Sequence, residues 1–172
     1  MDDDLAERVN AVARLEGSFV LRSGQTATHY FDKYRFEANP ALLRRVADRM
    51  LTRLPTDTQV LAGLELGGVP IATAMSLASG LPAVFVRKAP KSYGTLRAVE
   101  GGDVAGRRVT IVEDVITTGG AVTDAAGLLR AEGANLIAVV CAIWRGQGDP
   151  RIAASPDLPV LAALTEADLN AS

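Results

Sequence analysis

The chain carries one cysteine, Cys141, and one histidine, His29, among its 172 residues. That scarcity excludes a disulfide framework, a Cys-rich zinc centre and any multi-histidine metal site. Basic residues are not in excess either: 18 Lys and Arg face 20 Asp and Glu, for a net charge of −2. A generic nucleic-acid binder needs a cationic surplus for the phosphate backbone, so that class is set aside. The longest apolar run, Leu136 to Trp144, falls far short of the roughly 20 residues that span a bilayer, so no membrane segment is expected. The start, Met1-Asp2-Asp3-Asp4, has no apolar stretch behind it and does not read as a signal peptide. With Cys141 inside an apolar run as a free, buried thiol, the expected compartment is the cytoplasm. There is no G-x-x-x-x-G-K-[ST] loop, no G-x-G-x-x-G fingerprint and no G-x-S-x-G elbow.

What is present suits one packed domain over residues 1–172: 48% of residues are hydrophobic and 22% charged, which excludes intrinsic disorder. Residues 4–15 read as a helix with Leu5, Val9, Val12 and Ala13 on one face. Residues 18–37 read as irregular. Asn39-Pro40 opens a helix to about Leu54, Val60–Leu64 is a strand, and Gly67-Gly68 turns the chain into a helix from Pro70 to about Ser79. Ala83–Val86 is a second strand. The polar, glycine-containing stretch Arg87–Arg107 is too long to be an ordinary connection and reads as a functional loop. Arg108–Val112, Leu136–Ile143 and Val160–Leu164 complete the strands, with a helix over Gly120–Glu132 ended by Gly133. Strands alternating with helices predict a doubly wound α/β fold, with a mostly parallel five-stranded sheet flanked by helices. Ligands in such folds sit at the carboxyl ends of the strands.

The strongest chemical signal is Val109-Thr110-Ile111-Val112-Glu113-Asp114-Val115-Ile116-Thr117-Thr118-Gly119-Gly120-Ala121. An apolar strand runs into two adjacent carboxylates, then a Thr/Gly turn, then a helix. The turn and helix start offer backbone N–H groups to one point, an anion cradle strengthened by the helix dipole. Thr117 and Thr118 add hydroxyls, and Gly119 and Gly120 allow close approach. Glu113 and Asp114 suit the vicinal hydroxyls of a ribose, or a magnesium ion held through water. Arg87, Lys88 and Lys91 form a cationic cluster on a glycine-hinged loop, able to close over a polyanion.

This stretch resembles the phosphoribosyl-diphosphate signature of the type I phosphoribosyltransferases. Within them the chain is similar to the orotate phosphoribosyltransferases, through Phe19-Val20-Leu21-Arg22-Ser23-Gly24, Glu65-Leu66-Gly67-Gly68-Val69-Pro70-Ile71-Ala72, Arg87-Lys88-Ala89-Pro90-Lys91-Ser92-Tyr93-Gly94-Thr95 and Arg145. The resemblance implies a type I phosphoribosyltransferase fold with a small N-terminal hood (about residues 1–37) and a flexible catalytic loop (about 87–107). It implies transfer of ribose 5-phosphate from 5-phosphoribosyl 1-diphosphate to orotate in pyrimidine synthesis, with Mg2+ as cofactor, in a homodimer with shared active sites. Lys91 and Asp114 are the expected catalytic residues. Arg87, Lys88, Lys91, Tyr93, Gly67, Gly68 and Glu113 through Ala121, including Val115 and Ile116, are expected at the donor. Thr117, Arg145, Arg22, Tyr30 and Phe31 are expected at orotate. Some relatives carry lysine where Gly67 stands and histidine where Tyr93 stands. Another base, or a non-catalytic regulator that binds the same donor, are the alternative readings.

Overall fold

The computed structural model describes residues 4–20, 24–89 and 97–171. Its first elements are α1 (Leu5–Ala13), β1 (Arg14–Val20), β2 (Thr26–Phe31), α2 (Tyr34–Glu37) and α3 (Pro40–Leu51). There follow β3 (Val60–Leu64), α4 (Gly68–Ser79), β4 (Ala83–Val86), β5 (Val99–Glu100) and β6 (Arg108–Ile116). The chain closes with α5 (Gly120–Ala131), β7 (Asn135–Trp144), β8 (Val160–Thr165) and α6 (Glu166–Asn170).

The five expected strands lie side by side and parallel, in the order β4-β3-β6-β7-β8. All of β3 and most of β6 and β7 are buried, as continuous apolar runs in a parallel sheet require. On one face α5 lays Val122, Ala125, Ala126 and Leu129 against Val109, Ile111, Val139 and Cys141. On the other, α1, α3 and α4 pack Val9, Val46, Met50, Ile71 and Met75 against Leu61, Val112, Val140 and Ala142. At α3 the Asn39 side chain accepts from the N–H groups of Ala41 and Leu42 at 3.1 and 3.2 Å, and Pro40 occupies the first turn. The Cys141 thiol is fully buried, and burial, with the nearby Glu113 and Asp114 charges, pushes its pKa up to about 12. No helix among the described residues is long and apolar enough to cross a membrane.

Several boundaries differ from the sequence expectation, each for a physical reason. The sheet has six strands: β5, two residues long, pairs antiparallel with β4 at its edge. So short a strand leaves no periodic trace, and it interrupts the expected 87–107 loop, of which 90–96 lie outside the described residues. Residues 18–37 are not irregular. They hold most of the β1–β2 hairpin and α2, and α1 stops at Ala13 because Arg14 opens that hairpin. Most hairpin residues are exposed, so no apolar alternation announces the strands. β6 does not stop at Val112 but runs to Ile116, carrying Glu113 and Asp114 inside the sheet opposite β7. α3 ends at Leu51 rather than Leu54, and α4 begins at Gly68, ahead of Pro70.

Beneath the sheet, the Thr58 and Thr110 hydroxyls share a buried hydrogen bond of 2.8 Å. Replacing one partner strands the other hydroxyl in an apolar setting, whereas replacing both removes the need for a bond. Thr110→Val is therefore expected to lower unfolding stability by about 1–3 kcal/mol in denaturant titrations, and the Thr58→Val/Thr110→Val double variant to recover most of it.

Candidate active site

At the carboxyl ends of β3, β4 and β6 opens a cavity of about 690 Å³. Leu64 and Glu65 line it from β3, Val86, Arg87 and Lys88 from β4, and Glu113 together with Val115 through Ala121 from β6 and the turn beyond; Lys33 reaches it from the end of the hairpin. Its size and its lining of charged and hydroxyl side chains suit one small, polar, charged molecule. The turn is built for an anion. Gly119 sits at φ +81°, and a Cβ there would lie within 3 Å of three Ile152 side-chain atoms, so glycine is required on both conformational and steric grounds. The helical bonds of α5 begin with the Thr123 N–H donating to the Gly119 carbonyl at 3.0 Å. The N–H groups from Gly119 to Val122 precede that bond and are left for a ligand, at the positive end of the helix dipole. Thr117 and Thr118 are exposed beside them.

The two carboxylates leave β6 on opposite faces, as successive strand residues do. Glu113 lines the cavity, and its Oε1 accepts the Asp114 N–H at 3.0 Å. Asp114 turns the other way and is wholly buried. The Val115 N–H donates to its Oδ1 at 2.5 Å, and the Lys33 ammonium lies 2.6 Å from its Oδ2. Gly67 packs directly against this pair: a Cβ there would come 1.7 Å from Asp114 Oδ2 and 2.9 Å from Glu37 Oε1. The preceding Glu65–Leu66 peptide is cis.

Three carboxyl groups and one ammonium thus share a desolvated corner. Burial pushes Glu113 up to about 9, with the Asp114 charge adding to it. Burial and the same neighbour push Glu37 up to about 8. Burial also works against the Asp114 carboxylate, but hydrogen bonds from Glu113 and Lys33 outweigh it and hold that group below its usual range. Lys33 is raised, because its bond to Asp114 outweighs its own burial. Asp114 and Lys33 are thus both shifted toward their charged forms, and Glu113 and Glu37 toward their neutral ones.

Of the cationic cluster, Arg87 and Lys88 line the cavity. The Arg87 backbone N–H donates to the Ala98 carbonyl, the Lys88 backbone N–H to Glu65 Oε2 at 3.0 Å, and Arg87 Nε is buried without a hydrogen-bond partner among the described residues. Arg22, Lys91 and Tyr93 lie outside the described residues. Of the residues expected at a base, Tyr30, Phe31 and Arg145 line a second, smaller hollow of about 70 Å³, whereas Thr117 lines the first cavity. The Arg145 guanidinium stands 5.4 Å from the centre of the Phe31 ring and donates from Nε and Nη2 to Glu166 Oε1 at 3.1 and 2.8 Å. Its backbone N–H donates to the Ile116 carbonyl at 2.8 Å, which fixes it beside the end of the β6 signature. Tyr30 is exposed, its ring 5.6 Å from that of Phe19. Sequence reasoning missed Glu37 and the use of Lys33. Nothing local marks Glu37, since its burial comes from the approach of Gly67 and Asp114, which are distant in sequence.

The family model for a phosphoribosyl transferase domain matches residues 35–157. An orotate phosphoribosyltransferase of Nocardioides sp. is 57% identical over 172 residues, covering 100% of this chain and 96% of the relative. Another, from Methanocella arvoryzae, is 41% identical over 149 residues, covering 86% of this chain and 85% of its own length. Among solved structures, the orotate phosphoribosyltransferase of Mycobacterium tuberculosis H37Rv in complex with 5-phospho-alpha-D-ribosyl 1-diphosphate superposes with a TM-score of 0.79 at 29% identity, covering 97% of each chain.

The raised Glu37 pKa sets a pH dependence. A carboxyl group that titrates near 8 when folded and near its ordinary value when unfolded adds stability that is full below about pH 4.5 and is lost as pH rises toward 8. Glu37→Gln stays neutral throughout. Between pH 5 and 8 its unfolding stability should gain on the parent by up to about 1.4 kcal/mol per pH unit. A stability difference that stays flat across that range would contradict the protonated Glu37.

Proposed function

The chain belongs to the phosphoribosyltransferase family and, within it, to the orotate phosphoribosyltransferases, and on that premise we propose how its cavity transfers ribose 5-phosphate from 5-phosphoribosyl 1-diphosphate to orotate. The products are orotidine 5'-phosphate and diphosphate, in the synthesis of pyrimidine nucleotides. The observation that carries the reading is the acid-bearing strand β6 passing into the left-handed Gly119 and the open start of α5, on the wall of a cavity that Arg87 and Lys88 also line.

The 5-phosphate rests on the N–H groups from Gly119 to Val122 and the hydroxyls of Thr117 and Thr118. Val115 and Ile116 hold the end of the strand rigid beneath the sugar. Glu113 and Asp114 take the ribose 2'- and 3'-hydroxyls. The diphosphate lies against the backbone of Gly67 and Gly68, where a side chain at position 67 has no room, and Arg87, Lys88 and Lys91 neutralise it as it leaves, with Tyr93 as a hydrogen-bond donor. Orotate meets the Arg145 guanidinium with its carboxylate, packs on Phe31 and Tyr30 under the hood that includes Arg22, and touches Thr117. The bond from C1 to the diphosphate oxygen breaks, the bond from C1 to N1 of orotate forms with inversion, and the N1 proton passes, through water, to the departing diphosphate. No side chain acts as a nucleophile. Rate comes from alignment and from charge placed where the diphosphate departs.

A magnesium ion suits this donor set through the diphosphate and water. Glu113 offers a carboxyl group on the cavity wall, and the described residues hold no cluster of three ligating side chains that would cage a bare ion. When bound, it offsets the negative charge of the diphosphate and makes it a better leaving group. The enzyme is a cytoplasmic homodimer formed by a single domain, in which the 87–107 loop serves the partner's site. The one cysteine, Cys141, is buried and has no second cysteine in the chain to pair with, which suits a compartment without disulfide chemistry, and the exposed Leu66 and Leu77 offer apolar surface for the pairing.

Orotate consumption followed by absorbance, with donor and magnesium, tests the assignment. Orotate is expected to turn over, and adenine, guanine, hypoxanthine and uracil are not. Turnover of one of those bases in place of orotate would overturn it. In the same assay Asp114→Asn should cost roughly tenfold or more in kcat/KM for the donor. Lys91→Ala should lower kcat more than it weakens donor binding.

A further inference from the structure

We propose that Lys33 is a donor-binding residue: a latch that covers Asp114 in the free enzyme and passes its ammonium to the donor's diphosphate when ribose hydroxyls take its place. This rests on the phosphoribosyl-transfer reading of the cavity. Lys33 lines the cavity while its Nζ sits 2.6 Å from Asp114 Oδ2. The Asp114 side chain is 1% exposed and that of Lys33 34%, so at this corner it is the lysine, and not the carboxylate, that the cavity meets. A sugar hydroxyl cannot reach Oδ2 while the ammonium holds it.

The turn at Gly67 cannot take over this role, because even a Cβ there would collide with Oδ2. The cation must come from across the cavity, and the chain supplies it from the joint between β2 and α2. That joint is anchored: the Asp32 N–H donates to the Ala13 carbonyl at 2.8 Å, and the Phe36 N–H donates to the Lys33 carbonyl at 3.2 Å. The side chain can therefore swing while its backbone stays in place. The Tyr34 ring, 5.4 Å from Nζ, gives it a second apolar-faced neighbour on the way. The Asp114 carboxylate, 1% exposed, would be costly to leave without a partner. Donor binding avoids that cost, since neutral ribose hydroxyls replace the ammonium at Asp114 while the polyanionic diphosphate, held near Arg87 and Lys88, receives it. Lys33 thereby ties the hairpin to occupancy of the donor site.

Calorimetric titration with inorganic diphosphate and, separately, with ribose 5-phosphate distinguishes the latch from a structural counter-ion. Lys33→Met should weaken diphosphate binding about tenfold, and leave ribose 5-phosphate binding unchanged or tighter because Asp114 is uncovered. Lys33→Arg should retain most of the diphosphate affinity. Asp114→Asn frees the ammonium and should tighten inorganic diphosphate, a gain that Asp114→Asn/Lys33→Met must abolish. This pair removes both charges together and keeps the test open if Lys33→Met alone fails to fold. Unchanged diphosphate affinity in Lys33→Met, or equal loss of both ligands in it, would overturn the latch. A parent enzyme that consumes orotate beside such results loses only the latch, whereas one that binds neither ligand loses the phosphoribosyl-transfer reading itself.

Discussion

A carboxylate buried inside a parallel sheet dictates the arrangement around it. Asp114 is wholly desolvated near the end of β6, and an isolated ion there would be prohibitively unstable. The structure answers with one ammonium at 2.6 Å and one backbone N–H at 2.5 Å. The neighbours conform. Glu113 and Glu37 are shifted toward their neutral forms, and a Cβ at position 67 would collide with Asp114. The result is a buried ion pair flanked by two further carboxyl groups, next to a helix start whose N–H groups are open.

The scaffold makes that possible at modest cost. Five parallel strands buried on both faces carry β6 through the middle of the domain, with β3 and β7 as its partners. A strand so flanked cannot shift register without displacing two neighbours, so the placement of Glu113 on the cavity wall and of Asp114 in the buried corner behind Lys33 is set by the sheet rather than by local contacts. The turn that follows is fixed in turn by Gly119 against Ile152. The open start of α5 and the two acids are therefore held on one rigid element, which suits catalysis by alignment.

Much of this was legible in the residues alone. The central strands, the helices between them and the acid-to-glycine signature are strong local patterns, and they appear where expected. What was not legible came from tertiary approach. The hairpin of β1 and β2 lacks apolar alternation because its residues face solvent, and β5 is too short to show any period. Glu113 and Asp114 read as a pair closing a strand, yet β6 continues past them, and only the pleat reveals that they diverge. Glu37 and Lys33 meet Asp114 across some eighty residues of sequence, so no motif could announce that corner. Arg145, expected to face a base, is found in a separate small hollow and paired with Glu166 from α6, a partner no local pattern indicated.

The central claim is that a sugar phosphate is seated where β6 enters α5. A crystal structure of the enzyme with orotidine 5'-phosphate bound tests it most directly. The account requires the phosphate on the N–H groups of Gly119 to Val122, with the ribose hydroxyls turned toward Glu113 and Asp114. A nucleotide bound with its phosphate elsewhere and that helix start empty would contradict it.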